Sequence, residues 1–399
     1  EFTSFNTPKV NINELNINSI NDIGSFSDIA LSFISDFQEL VDIKTPVMQL
    51  GDSVCNDMMI SNRIDSIKNL PECGIIEKEL LDITNEINIE HPLHPINKNN
   101  SHIYSNKSYS YISEKVHGKS LHNKLFENFC RKAMGTSSGL LIAKYHRKAW
   151  LPFYYPETLL EAIRGNKINL PLTTFSYPKN SSICAIVTLI IQRLKHFPNV
   201  KVVKDSIKSF YKLSKDSYSI QTHLDIKFES RKIIWASKLD KLLNMYGYKS
   251  NISKMIKSNH YIVFITIKTI YLLKIFTVMF MADIETFIYR IHNQSLCSSD
   301  NDFLTRLTIE LSSEYLNSLN KRDLSNEFIE RKVIKELYRL SIIKDGSEPL
   351  NKKSIFLPTS YATATKENIE MFKNDYILAS NIIDPEFLIG PSSGFASNS

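Results

Sequence analysis

The stretch FSYPKNSSI, residues 175–183, sets a Tyr-Pro-Lys turn and two serines directly before an apolar run with helical character, ICAIVTLIIQRL. A helix N-terminus offers unpaired backbone N–H groups and a partial positive charge, so a stiff turn there can seat an anion or the polar edge of a cofactor. The same residues also make an ordinary loop-to-helix junction, and both readings stay open. Other reactive side chains form weaker groups. His91 and His94 in HPLHP have the separation of a metal-ligand pair, but the flanking prolines oppose a helix and no acidic or cysteine partner stands close in sequence. A polar loop is expected there. The GTSSG at 135–139 lacks the G-x-S-x-G layout of a nucleophile elbow, which argues against a serine hydrolase. Cys55, Cys73, Cys130, Cys184 and Cys297 are widely spaced, odd in number and without a CxxC pair. They imply reduced thiols in a cytoplasm-like compartment, with neither a metal nor a disulfide framework.

The surrounding chain must hold these groups in place. Its 399 residues, 43% hydrophobic and 23% charged, suffice for two or more packed domains. The net charge of +6 arises from lysines scattered singly, so nucleic acid is not the expected partner. From His260 to Asp283 the sequence is membrane-like, but Lys268 and Lys274 interrupt it and β-branched and aromatic residues dominate. IVFITIKT and KIFTVMFMA read as two buried strands, followed by strands at ETFIYRIHN and FLTRLTIELS, and no transmembrane segment is expected. The Phe and Tyr stripe through 261–289 reads as core.

Ser27 to Leu40 has apolar residues at helical spacing, Cys73 to Ile89 reads as one helix, and HPLHPINKNNSHIYSNKSYS as a polar loop. EKVHGKSLHNKLFENFCRKAMG reads as a second long helix ending near Gly135, and YPETLLEAIRG as another. Strand patterning follows, with KIIWA as a third strand leading into a helix. The absence of an initial Met and the ending at FASNS suggest a fragment.

In this order, several segments resemble the FAD-dependent amine-oxidase-like superfamily, within it the UDP-galactopyranose-mutase-like and protoporphyrinogen-oxidase-like branch. HGKSLHNKLFENFCRKAMG (117–135) is similar to that branch's "FG..LY..FF.PY..K.WG" helix, and FSYPKNSSI to its "YP..GI" turn. NVKVVKDSIKSFYK (199–212), KIIWASKLDKLL (232–243), FIYRIHNQS (287–295), LTIELS (307–312) and IGPSSGFASNS (389–399) follow in the family's order. The likeness covers roughly residues 100–399.

The resemblance implies an α/β (α+β) fold: a discontinuous Rossmann-like FAD/NAD(P)-binding domain, a helical lid and an antiparallel β-sheet substrate domain. The implied segments are 1–52, leading out of the FAD domain; 53–170, the lid; 171–245, an FAD-domain segment; 246–350, the substrate sheet; and 351–399, a return to the FAD domain. By the same likeness, Ile207, Ala236 and Gly390 are cofactor-binding, with plain core the alternative for the apolar Ile207 and Ala236, and Tyr289, Arg290 and Asn293 face a small-molecule substrate. A sheet-face ion pair is the structural alternative for the last three. The implied cofactor is FAD and the implied activity an oxidoreductase; a flavin-dependent sugar mutase or a non-catalytic relative that binds a partner through its lid are the alternatives.

Three departures stand out. Ser181 and Ser182 replace glycines; they can cap a helix but lack glycine's freedom at positive φ. Pro391 replaces an arginine beside Gly390, supplying neither charge nor N–H. None of the eleven glycines forms the G-x-G-x-x-G turn that seats a pyrophosphate.

Overall fold

The architecture, taken from a computed structural model, describes residues 7–11, 16–20, 39–43, 47–50, 53–56, 64–95, 97, 100–149, 151, 153–166, 175–179, 183–214, 217–296 and 303–389. The chain divides into two units, each built from two sequence pieces: 1–192 with 258–360, and 193–257 with 361–399.

The larger unit is organised on a seven-stranded sheet. Its strands in chain order are β1 (Val47–Leu50), β2 (Ser53–Asn56), β3 (Lys257–Lys268), β4 (Val278–Met281), β5 (Ile288–Asn293), β6 (Leu304–Leu311) and β7 (Asn351–Ala362). Across the sheet they run β7-β3-β6-β5-β4-β1-β2. β3, β6, β5 and β4 pair antiparallel in succession, as do β1 and β2, while β1 joins β4 in parallel. The membrane-like stretch is thus two sheet strands. Side chains two apart in a strand share a face. Tyr261, Val263, Ile265 and Ile267 of β3, Leu307, Ile309 and Leu311 of β6, and Met279 and Met281 of β4 accordingly fill one core.

The helix Asn326–Arg339 closes that face. Its Ile329, Val333 and Leu337 recur every four residues and enter the same core, and Ser325 caps its start by accepting from Phe328 N. Each such aliphatic side chain contributes roughly 1.5–3 kcal/mol on burial.

The helical part of this unit departs from the expected long helix. Tyr109–His117 stops at Gly118, whose φ is +83°, and the chain resumes as Lys119–Leu121, a π-helical turn His122–Phe126 and the helix Glu127–Met134. The break has a local cause. The Glu79 side chain lies where a Cβ at position 118 would stand, and its carboxylate accepts from Ser120 N and Ser120 Oγ, both at 2.9 Å. The expected end at Gly135 is observed, in the left-handed conformation, its N–H bonded to Arg131 O.

The HPLHP-to-SYS stretch is also more ordered than a polar loop. Ser101–Asn106 is helical, Tyr104 and Tyr109 are buried, and Tyr104 donates from its hydroxyl to Leu93 O at 3.0 Å. Cys73–Glu86 and Pro156–Ile163 form the other expected helices, whereas most of Ser27 to Leu40 lies outside the described residues.

The smaller unit packs a three-stranded antiparallel meander, Ile207–Ser214, Ser217–Thr222 and Lys227–Ser230, against the helices Leu239–Met245 and Lys366–Ser380. Phe210, Tyr218, Trp235, Leu242, Leu243 and Ala379 form its core. KIIWA is not a strand: within it Trp235 alone makes a bridge, parallel to Leu388. Inside this unit the buried Asp375 carboxylate gathers Ser250 Oγ, Asn251 N, Asn251 Nδ2 and Ile252 N, fixing the loop before the strand that re-enters the sheet.

Candidate functional site

The seven-stranded sheet has a second face, and its chemistry differs from the core. Strand registers align Ile262, Glu310, Arg290 and Phe280 in one row, and Phe264, Thr308, His292 and Val278 in the next. Arg290 and Glu310 form a cross-strand ion pair on this face, with side chains 14% and 16% exposed. The Arg290 guanidinium carbon sits 6.0 Å from the centre of the Phe280 ring. His260, almost fully buried, lies in the field of the same pair: burial pushes its pKa below the ordinary value, Glu310 opposes that shift and Arg290 adds to it. Thr308 Oγ1 is buried on the same face without a hydrogen-bond partner.

One helix leans on this face. Glu127–Met134 places Phe129 against Phe280 at 5.8 Å and Tyr289 at 5.2 Å between ring centres. Lys132, three residues on, sends its Nζ to Met281 O at 2.8 Å and Asp283 O at 2.7 Å, clamping the helix to the end of β4. Burial pushes the Lys132 pKa down to about 7, with Asp283 and Glu336 opposing and Arg339 reinforcing the change. A cation set beside aromatic rings, with a carboxylate, an imidazole and an unpaired hydroxyl within two rows, is a surface able to bind a small polar or anionic molecule.

The sequence-predicted substrate residues share β5 but not one environment. Tyr289 is buried among Phe129 and Phe280; a register shift between Ile288 and Arg290 brings it toward the second face. Arg290 sits on that face in its ion pair. Asn293 is buried, and its Oδ1 accepts from Ser295 N at 3.2 Å, so its side chain holds the turn after the strand. Glu310, His260 and Thr308 were missed by sequence reading. The pairing of β5 with β6 and of β6 with β3 brings them to Arg290, and only the alternation in LTIELS hinted at Glu310.

The predicted cofactor residues all fall in the smaller unit. Ile207 opens its first strand, half-buried against the core, paired with Thr222. Ala236 is exposed just after the Trp235–Leu388 bridge, where Ile389 N donates to Trp235 O at 3.0 Å. That bond brings the residue before Gly390 beside Ala236. Gly390 itself lies outside the described residues, as do Ser181 and Ser182. The backbone of 175–178 pairs antiparallel with Leu40–Ile43, and the helix Ile183–Lys195 follows.

A second polar cluster lies in the helical layer and is closed. His117 Nε2 accepts from Tyr154 N at 2.9 Å, so Nδ1 carries the proton and donates to Ser113 Oγ at 2.9 Å. Burial is the largest cause of its pKa falling to about 3. Ser138 Oγ donates to Glu127 Oε2 and accepts from His122 Nε2 at 3.2 Å, leaving His122 Nδ1 buried without a partner. Serine, histidine and carboxylate thus meet, but the serine stands between the other two and is fully buried; it ties the GTSSG loop down. His94 is likewise buried, bonded to Glu157 at 3.3 Å and stacked on Tyr155. Among the described residues no group of three or more His, Cys, Asp or Glu is placed to hold a metal, Cys73 and Cys130 are free thiols, and no helix is long and apolar enough to cross a membrane.

No protein-family model matches the sequence, and no curated protein matches it either. Solved structures do. Reduced UDP-galactopyranose mutase is 14% identical, with a TM-score of 0.67 over 93% of this chain and 76% of that one. A protoporphyrinogen-oxidase-like protein from Exiguobacterium sp. 255-15 is 9% identical, with a TM-score of 0.57 over 95% of this chain and 83% of that one. At such identities the likeness is one of fold, and the fold is the one the sequence motifs led us to expect.

Proposed function

We propose that this chain belongs to an FAD-dependent oxidoreductase of the amine-oxidase-like superfamily, acting on a small polar substrate. The observation that carries the reading is a fold likeness spanning 93% of the chain, joined to a half-buried sheet face bearing Arg290, Glu310 and Phe280. Residues 53–170 act chiefly as the lid and 246–350 as the body of the substrate sheet, to which β1, β2 and β7 add strands from the flanking segments, while the rest of 1–52, 171–245 and 351–399 form the cofactor-binding part. Tyr289 and Arg290 meet the substrate and Asn293 positions the turn behind them; Ile207, Ala236 and Gly390 approach the flavin. A flavin-dependent sugar mutase is the second reading, favoured by the higher TM-score of the mutase structure.

The described residues do not complete a dinucleotide site. Gly118, Gly135, Gly165, Gly247 and Gly346 are the described glycines at positive φ. Gly135, Gly165 and Gly247 follow helices, Gly346 lies in a turn, and the short helix after Gly118 already has the Glu79 carboxylate at its start. None opens a helix after a strand to seat a pyrophosphate. Among the described residues, that cradle is therefore missing. The chain's own residues supply an apolar wall, Phe129, Phe280 and Tyr289, that excludes water, and a charge pair that orients a polar ligand.

The test is to purify the protein encoded by the whole gene, add FAD and follow thermal unfolding. At a concentration 100 times Kd, FAD should stabilise it by about 2.7 kcal/mol. A protein that carries no flavin absorption and shows no stabilisation by FAD would leave the non-catalytic, lid-binding relative as the better account.

A further inference from the structure

Charge is unevenly distributed along the chain. Residues 193–257 hold fifteen Lys and Arg against five Asp and Glu, a net of +10, whereas the remaining residues hold 33 against 37, a net of −4. This basic stretch is one of the two pieces of the smaller unit. Its first ten residues, RLKHFPNVKV at 193–202, are all exposed. Leu194, Phe197, Val200 and Val202 stand 37, 50, 38 and 40% exposed among Arg193, Lys195 and Lys201, with Lys204 just beyond and no acidic residue before Asp205. Successive turns hold them together, with Phe197 N bonded to Leu194 O and Val200 N to Phe197 O.

Single exposed apolar side chains are ordinary, but four within nine residues, interleaved with cations and no anion, form a patch with a definite complement. A bilayer rich in anionic headgroups offers negative charge at its surface and hydrocarbon a few ångströms below, matching the lysine heads and the apolar side chains together. Nucleic acid offers phosphates and flat bases, and of the four apolar residues only Phe197 could stack. A second copy would bring like charge against like. We propose that residues 193–204 are a peripheral docking site for an anionic lipid surface, independent of any flavin chemistry.

The test is flotation of the full chain with vesicles of phosphatidylcholine, with and without phosphatidylserine, across a salt series. Binding should require phosphatidylserine and fall as salt rises. With each lysine near an anionic surface adding roughly five-fold to partitioning, K195E/K201E/K204E should bind at least ~100-fold more weakly. F197S/V200S should bind more weakly at every salt concentration, and both variants should keep the far-ultraviolet circular dichroism of the parent. Equal binding to neutral vesicles, no binding to anionic ones, or unchanged binding by the triple variant would overturn the proposal. So would release of the vesicle-bound protein by a single-stranded oligonucleotide, which would point to nucleic acid as the partner.

Discussion

The helical layer and the second face of the sheet bury the same kinds of side chain and use them in opposite ways. In the helical layer His117 has a bonded partner on each ring nitrogen, and Ser138 is held between Glu127 and His122. His122 Nδ1 is left without a partner there, but it is buried and out of a ligand's reach. On the sheet face Arg290, Glu310 and His260 come from three neighbouring strands, the ion pair partly open to solvent and His260 buried behind it, beside aromatic rings and an unpaired threonine hydroxyl. Buried polar groups that satisfy one another specify a fold, whereas a half-buried set with capacity left over is where binding is sought. A serine, a histidine and a carboxylate in contact do not define a site until access is considered.

The comparison breaks first under acid. His117 takes up a proton near its ordinary 6.5 when unfolded but only at about 3 when folded, so the unfolded chain holds more protons between those values. Stability therefore falls as pH drops through that window, by about 1.4 kcal/mol per pH unit and on the order of 4 kcal/mol in all. Urea unfolding from pH 7 to 4 should show this acid limb, and H117N should flatten it. At neutral pH, His117→Ala should cost roughly 2–4 kcal/mol, because Tyr154 N and Ser113 Oγ lose their partner in a dry site.

The sheet face should respond less and in pairs. Arg290→Leu alone leaves the Glu310 carboxylate half-buried and uncompensated and should cost about 1–3 kcal/mol, the partial exposure keeping it below the fully buried case. R290L/E310L should regain most of that loss, which a double-mutant cycle by chemical denaturation would read. The smallest effect is at Thr308→Val, where a hydroxyl without a partner is removed. Stability should rise or stay within about 1 kcal/mol. A marked loss would show that the hydroxyl is engaged.

Much of the sheet was legible because period-two alternation and β-branched residues in 260–311 survive the charged interruptions at Lys268 and Lys274. The helix end at Gly135 followed from the glycine itself, while the helix from Cys73 stops at Glu86, three residues short of the expected Ile89. The break at Gly118 was not legible, since the cause is the Glu79 carboxylate, about forty residues earlier in sequence. KIIWA carries strand propensity, but its one bridge is to Leu388, a pairing no local pattern encodes. The candidate site was legible only along β5. Arg290 could be picked from FIYRIHN, but Glu310 and His260 join it through strand register.

The most direct test of the central claim is amide hydrogen exchange of the whole gene product with and without saturating FAD. The account predicts slowed exchange at Ile207–Phe210, at Trp235–Ser237 and at Leu388–Ile389, the backbone segments assigned to the cofactor. Unchanged exchange at all three under saturating FAD would contradict the flavoprotein reading.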